Sequence, residues 1–235
     1  MASCRDVIAR HVSIRRFKPD PIPEDDLREI LWAAQRAPSA WGLQPFSVVV
    51  VRDEGTRARL AEAVGGQRYV AEAPVFLAFV ADYGKLLEAM RMAGLEPGEV
   101  TLGHLVISLV DIGIASAWAT IRAEELGYGT VYIALYSSCR RVAEVLSLPP
   151  RTLPVVGLAI GKPAEQPATR PRQPLEALAW MDTAPDAKRA AELIIGSEFN
   201  QKFSRAARLT LAPGAYYEKV GAEIMECAKR LGWRI

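Results

Sequence analysis

Residues 37–46 read Ala37-Pro38-Ser39-Ala40-Trp41-Gly42-Leu43-Gln44-Pro45-Phe46, and they set the local order of the fold. On their N-terminal side, Glu24, Asp25 and Asp26 stand behind Pro23, and Leu27, Ile30, Leu31 and Ala34 follow at helical spacing. Carboxylates in a first turn suit the positive end of a helix dipole, and apolar side chains three and four apart make one buried face. The spacing predicts an amphipathic helix over residues 24–37. Pro38, Gly42 and Pro45 forbid its continuation. On the C-terminal side, Phe46 to Val51 is a β-branched run suited to a buried strand. The order is therefore helix, loop, strand.

Working outward, a second helix is expected over residues 55–64, ended by Gly65-Gly66, with a fully apolar strand over 75–81. Residues 85–99 are charged and read as partly helical and exposed. An apolar helix follows over 100–126, stopped by Gly127-Tyr128-Gly129, then a short strand at 131–133. Residues 140–146 give one more helix and 153–160 a last central strand. Beyond Gly161, Pro163, Pro167, Pro171, Pro174 and Pro185 fall among polar residues, which predicts an irregular arm. Two helical patterns, 187–209 and 216–231, have no strand of their own to pack on. Helices mixed with short strands predict an α+β (α/β) sheet flanked by helices.

The chain has 235 residues, half of them apolar, enough to bury a core without staples. Its 29 basic and 27 acidic residues leave a net charge of +2, too little for a polyanion-binding surface, so no nucleic-acid partner is expected. Cys4, Cys139 and Cys227 are far apart, and an odd count with no Cys-x-x-Cys spacing argues against a disulfide framework or a zinc knuckle. A reducing cytoplasm is the simplest location. The first residues turn charged at once, with no apolar run of a secretory signal. The stretch 102–121 is long enough for a bilayer but contains His104 and Asp111, so it reads as a buried helix and no membrane partner is expected. Asn occurs only at Asn200 while Arg, Glu, Ala and Val abound, a bias shared by heat-adapted and GC-rich sources.

Familiar catalytic signatures are missing. Gly127-Tyr128-Gly129 lacks the third glycine of a dinucleotide fingerprint and precedes a strand. Gly161-Lys162 has no glycine five residues upstream, so it is not a phosphate-binding loop. With only His11 and His104, a histidine-rich metal site cannot be built, and there is no Gly-x-Ser-x-Gly elbow. Protein side chains do not supply the chemistry, which points to an organic cofactor. One local anion site is available. In His11-Val12-Ser13-Ile14-Arg15-Arg16-Phe17, Ser13 and Arg15 are two apart, so in extended backbone a hydroxyl and a guanidinium face the same way.

That motif, then Pro21-Ile22-Pro23, the amphipathic helix, and the Pro38-Ser39 to Gln44-Pro45 loop occur in an order that resembles the nitroreductase family. Its members open with Arg/His-x-Ser-x-Arg/Lys and carry a Pro-Ser-x-x-x-x-Gln-Pro loop. The resemblance continues through Gly65-Gly66-Gln67, Val70-Ala71-Glu72-Ala73-Pro74, Asp111, Leu126-Gly127-Tyr128-Gly129, Leu148-Pro149 and Gly157 to Pro163. Arg170-Pro171-Arg172 and the helical extension are similar to the NADPH-preferring flavin and nitro reductase branch. The resemblance implies a mixed sheet flanked by helices, with 1–235 a single FMN-binding domain. It further implies that 162–235 form a linker and helical extension packed on the partner subunit of a homodimer.

The site residues implied by the resemblance are these. His11, Ser13 and Arg15 fall where the family holds the FMN phosphate and ribityl chain, and Arg170 and Arg172 where further cations close on the phosphate. Ser39 and its loop match a segment along the isoalloxazine, and Trp41 stacks on substrate or fills the dimer seam. Gln67 matches a ring contact, and Tyr132, Ile133, Ala134 and Leu135 occupy a stretch whose backbone amides face the flavin. Relatives usually have glycine in the Ala134-Leu135 pair, so Leu135 is expected to tighten the pocket. Ala117-Trp118 replaces a common Gln-Asn pair, and Asp111 is expected to be structural. Lys202, Arg205 and Arg208, at three-residue spacing, match arginines that take the 2′-phosphate of NADPH, or else form a solvated basic face. The implied function is ping-pong transfer of electrons from NADPH or NADH, through FMN, to a small acceptor such as a nitroaromatic, quinone or free flavin. No side chain acts as a catalytic acid or base. Related branches leave two alternatives, reductive dehalogenation or flavin fragmentation, and a third reading is an FMN-binding redox sensor without turnover.

Overall fold

The structure, a computed structural model, describes residues 4–235, which group into two units, one of residues up to 167 with 223–235 and one of 168–222. In the first unit, α1 (Cys4–Arg10) precedes α2 (Glu24–Arg36), whose Leu27, Ile30 and Ala34 are buried as their spacing implies, with Leu31 partly buried and Ala33 buried beside them. β1 (Phe46–Val51), α3 (Glu54–Ala63), α4 (Arg68–Glu72) and β2 (Val75–Asp82) follow. α5 (Gly84–Met92), α6 (Leu102–Glu125), β3 (Gly129–Ala134), α7 (Cys139–Val145) and β4 (Thr152–Gly161) complete the sheet and its helices. Asp53 caps α3 by accepting from the Thr56 amide at 2.7 Å, satisfying an amide that has no partner inside the helix.

The four strands lie in the order β1-β2-β4-β3, and each neighbouring pair is antiparallel. Side chains of a strand alternate between faces, and the two faces carry separate cores. On one, Leu77, Phe79, Leu158 and Ile160 pack with Ile30 of α2 and Ile112, Ala115 and Ala119 of α6. On the other, Phe76, Ala78, Val131 and Ala159 pack with Leu60 and Val142. Gly157 sits where Phe76 crosses the sheet, and a Cβ there would fall 2.1 Å from Phe76 Cζ and 2.7 Å from Ile133 Cγ2. Tyr128 ties the turn before β3 to α2 by donating to Asp26 Oδ2 at 2.5 Å. Burial and that carboxylate push its phenol up to about 12.

Two expectations change here. The apolar helix α6 is buried on one face only. Its 24 residues are long and apolar enough to cross a membrane, with Ile112, Ala115, Ala119 and Ala123 against the sheet, while Leu102, Val106, Val110 and Trp118 are exposed. Positions three and four apart share a helical face, so an all-apolar helix beside one sheet leaves an apolar stripe outside. The second change concerns the cysteines. Cys139 of α7 and Cys227 form a disulfide across 88 positions, with Cα atoms 6.0 Å apart, while Cys4 is free and exposed. Spacing along the chain excludes a local knuckle but carries no information about a pair that only the tertiary fold brings together. The same C-terminal segment is held by Trp233, whose indole donates to Thr152 O at 3.0 Å, and by Arg151 N donating to Leu231 O at 2.7 Å.

The second unit contains α8 (Leu175–Leu178), α9 (Ala187–Ile195) and α10 (Asn200–Thr210). α11 (Tyr216–Arg230) begins there, and its second half belongs to the first unit. The helical pattern expected over 187–209 is broken at Gly196, whose amide closes α9 onto Glu192 O at 2.9 Å.

Candidate functional site

The 11–17 motif runs beside the outer edge of β3. Ser13 pairs with Thr130 in an isolated parallel bridge, and the Ile14 amide donates to Thr130 O at 2.9 Å. Gly129 makes this approach possible, since a Cβ there would lie 2.6 Å from Ile14 Cγ1. In an antiparallel pair alternate residues turn both backbone groups toward the partner or away from it. Thr130 faces outward to Ile14, and the Leu135 amide faces inward to Val155 O at 3.1 Å. Tyr132 and Ala134, two and four residues beyond Thr130, therefore present their N–H and C=O groups on the side away from β4. Ile133 pairs with Gly157 within the sheet, and its side chain packs in the second core.

Parity also corrects one expectation. Leu135 is fully buried and packs with Val131 and Val142, so its bulk goes into the core and does not narrow an open site. Tyr132 is half-exposed, but its hydroxyl accepts from Thr120 Oγ1 at 2.9 Å, and burial raises its phenol above the usual range.

His11 is fixed by a residue the sequence reading passed over. Its Nδ1 lies 2.7 Å from Glu124 Oε1, which also accepts from Thr130 Oγ1 at 2.7 Å, and Arg10 donates to the Glu124 carbonyl at 3.1 Å. An acidic residue at the end of a helix opposes the helix dipole, and that misplacement is the signal that could have found Glu124. Glu165 is the second addition. Its carboxylate accepts from the amides of Arg15 at 2.5 Å and Arg16 at 3.2 Å, fixing the backbone of the motif. The Arg15 side chain is exposed. Its Nη1 donates to Ser13 O at 3.4 Å; burial raises the phenol of Tyr69, and the Arg15 charge partly holds it down. Gln67 precedes α4, after two left-handed glycines at φ +83° and +75°.

The 39–44 turn is wound through three left-handed residues, Trp41 at φ 55°, Gly42 at 67° and Gln44 at 49°. Ser39 Oγ accepts from the Gln44 amide at 3.3 Å, and Gln44 Nε2 donates to Gln35 O at 2.6 Å. Both oxygens of Asp111 accept from the Ala40 amide at 3.2 Å. Burial raises the Asp111 carboxyl above its ordinary range, opposed by that amide. Trp41 is 94% exposed.

Arg170, Arg172, Lys202, Arg205 and Arg208 all fall in the second unit. Arg172 Nη1 donates to Arg170 O at 3.0 Å, and Lys202 is held below the usual lysine range by burial and then by Arg172 and Arg170. The three cations therefore act on one another, whereas the sequence reading assigned them to two ligands. Arg205 and Arg208 are exposed on α10.

The motif and the β3 edge offer cations and a hydroxyl for an anion beside outward-facing amides for a polar ring edge. Comparison with known proteins places the fold and the family. Residues 8–162 match the model of the nitroreductase family. FMN reductase (NAD(P)H) of Bacillus subtilis is 38% identical over 176 residues, covering 74% of this chain and 71% of that protein. An NADPH-dependent oxidoreductase of Staphylococcus aureus strain USA300 is 32% identical over 176 residues, covering 73% and 70%. Among solved structures, the hypothetical oxidoreductase YcnD from Bacillus subtilis is similar at TM-score 0.89 and 30% identity, covering 100% of this chain and 99% of that one. NADPH:FMN oxidoreductase from Vibrio harveyi, complexed with NAD+, is similar at TM-score 0.81 and 26% identity, covering 98% of each. With the motifs in order, the sheet in place and two thirds of the chain matched, the chain belongs to the nitroreductase family.

Proposed function

We propose that this protein is an FMN-dependent oxidoreductase that takes electrons from NADPH or NADH and delivers them to a small acceptor such as a quinone, nitroaromatic or free flavin. The observation that carries the reading is the cationic His11-Ser13-Arg15 motif hydrogen-bonded along the β3 edge, next to the outward-facing amides of Tyr132 and Ala134. This donor set fits FMN, whose phosphate needs cations and hydroxyls to offset lost hydration and whose ring edge accepts from amides. Bound FMN supplies hydride acceptance from a nicotinamide and electron donation to the acceptor.

The chain's own part is binding and orientation. Glu124 holds the imidazole of His11, Glu165 holds the backbone at Arg15, and the main chain of β3 presents donors without any side-chain acid or base. Ser39, Gln67 and the 131–135 stretch border the ring in this reading, with Trp41 toward the acceptor. Arg170 and Arg172, with Lys202, add cations for a phosphate, and Arg205 and Arg208 take the 2′-phosphate of NADPH. The whole chain acts as one FMN-binding domain within a homodimer in the cytoplasm, with the extension after residue 162 reaching the partner. Support for the dimer comes from the apolar stripe Leu102, Val106, Val110 and Trp118 on α6, which the described residues leave exposed.

The test is steady oxidation of NADPH and NADH by FMN-loaded protein with a quinone or nitroaromatic added. Turnover with either acceptor supports the reading. Protein that purifies colourless and binds no added FMN overturns it, and light scattering at the 25.7 kDa monomer mass with FMN bound overturns the dimer.

A further inference from the structure

Asp111 lies in the middle of α6 and is 3% exposed, and among the described residues a single N–H, that of Ala40, bonds to its carboxylate. A buried carboxylate has room for about four donors and is costly to ionise with one. An asparagine could accept that one bond without the charge. The amide it meets begins the Ala40-Trp41-Gly42 turn, in which Trp41 and Gln44 both adopt the left-handed conformation although neither is glycine. Each such residue costs about 1 kcal/mol or more and persists only where its surroundings over-determine it. Ser39 and Gln35 bond to the turn from within the same stretch of chain. Gln35 belongs to α2, and Ser108 of α6 bonds to Pro45 just beyond the turn; Asp111 is the contact from α6 to the Ala40 amide, and it is the one with a charged acceptor.

We propose that Asp111 is the positioning residue of the acceptor-facing turn, its ionised carboxylate gripping the Ala40 amide so that Trp41 is held in the left-handed conformation that projects its indole outward. This rests on the reading above that the 39–44 turn borders the flavin and acceptor. The titratable neighbours are few. Tyr83, after β2, feels the charge of Asp111 in addition to its own burial, and the His104 ring, on α6 itself, meets the Tyr83 ring edge-on at 4.9 Å. Ser108, one turn earlier on α6, gives its hydroxyl to Pro45 O and His104 O. A merely structural aspartate would lose overall stability and turn order together when neutralised. A positioning aspartate that carries a desolvation cost separates the two, because neutralising it relieves the cost while freeing the turn.

The test uses FMN-loaded Asp111→Asn protein. Amide hydrogen exchange over residues 38–46 should accelerate about tenfold, the factor expected when a charge-assisted bond is replaced by a neutral one. Tm should stay level or rise, and KM for a benzoquinone acceptor should rise about tenfold with the rate of flavin reduction by NADPH unchanged. Exchange as slow as in the wild type overturns the grip, and faster exchange with unchanged acceptor KM overturns the acceptor-facing role. If the variant does not fold, the wild type decides the question. Exchange over 38–46, taken relative to β1 amides, should accelerate as acid protonates Asp111, and a constant ratio overturns the proposal. Absence of NAD(P)H oxidation by the wild type would remove the functional reading, while the exchange measurement would still decide the role of Asp111.

Discussion

Replacing both bridge cysteines, Cys139→Ala with Cys227→Ala, should lower thermal stability by an amount set by the length of chain the bridge closes. The disulfide spans 88 positions. In the chain-entropy model a closed loop of this size removes about 15 cal/mol/K from the unfolded ensemble, or about 4.6 kcal/mol near room temperature. Unfolding entropy of about 2.1 cal/mol/K per residue gives roughly 0.5 kcal/mol/K for a chain of this length, so Tm should fall by about 9 °C. The assay is calorimetric melting of FMN-loaded wild type and double variant without reductant, with Cys4→Ser as the control for the exposed thiol. Thiol titration in denaturant should give one free thiol without reductant and three with it. A Tm change under about 2 °C, or three thiols titrating without reductant, refutes the reasoning.

Three further outcomes follow from particular contacts. Gly157→Ala drives a Cβ into Phe76 and Ile133 at the centre of the sheet, and should cost about 1–3 kcal/mol in denaturant melts; unaltered stability would mean the two side chains yield freely. Glu124→Gln keeps the shape but removes the charge that holds His11, so the FMN dissociation constant should rise about tenfold in a fluorescence titration, and an unchanged value would remove Glu124 from the site. For Asp111 the sign is opposite to that of a paired carboxylate. Its folded-state carboxyl titrates above the ordinary 3.8, so the folded protein takes up this proton first. The penalty for ionising it is present above the folded value and is relieved as pH falls through it. The stability advantage of Asp111→Asn over wild type should therefore shrink between neutral pH and pH 4, and a constant difference would contradict the shift.

Periodicity located α2, β1, β2 and β4 within a residue or two, because each buries one regular face or a whole strand. It could not say how much of α6 is covered, since Leu102 and Val106 look the same in sequence whether protein or solvent lies over them. Cys139 and Cys227 were invisible as a pair for a related reason: 88 positions separate them, and their distance in space is set by packing within the first unit. Ser13 and Arg15 stand two apart in the sequence, whereas the carboxylates that bond to this stretch, Glu124 and Glu165, lie more than a hundred residues away along the chain. Trp41 was read as a contact residue, but its left-handed backbone was not foreseeable, because the neighbouring Gly42 is the residue that ordinarily takes such a conformation. The fate of Leu135 depended on strand parity, which composition does not encode.

The outward edge of β3 bears on how such a site drifts over generations. In the proposed reading, recognition through the amides of Tyr132 and Ala134 would be indifferent to what side chains those positions carry. Substitutions there would accumulate with little effect on the ligand. Inserting or deleting one residue between Thr130 and Leu135, by contrast, would turn every amide to the opposite side while leaving the composition almost unchanged. Selection on this strand should therefore act on its length far more than on its letters.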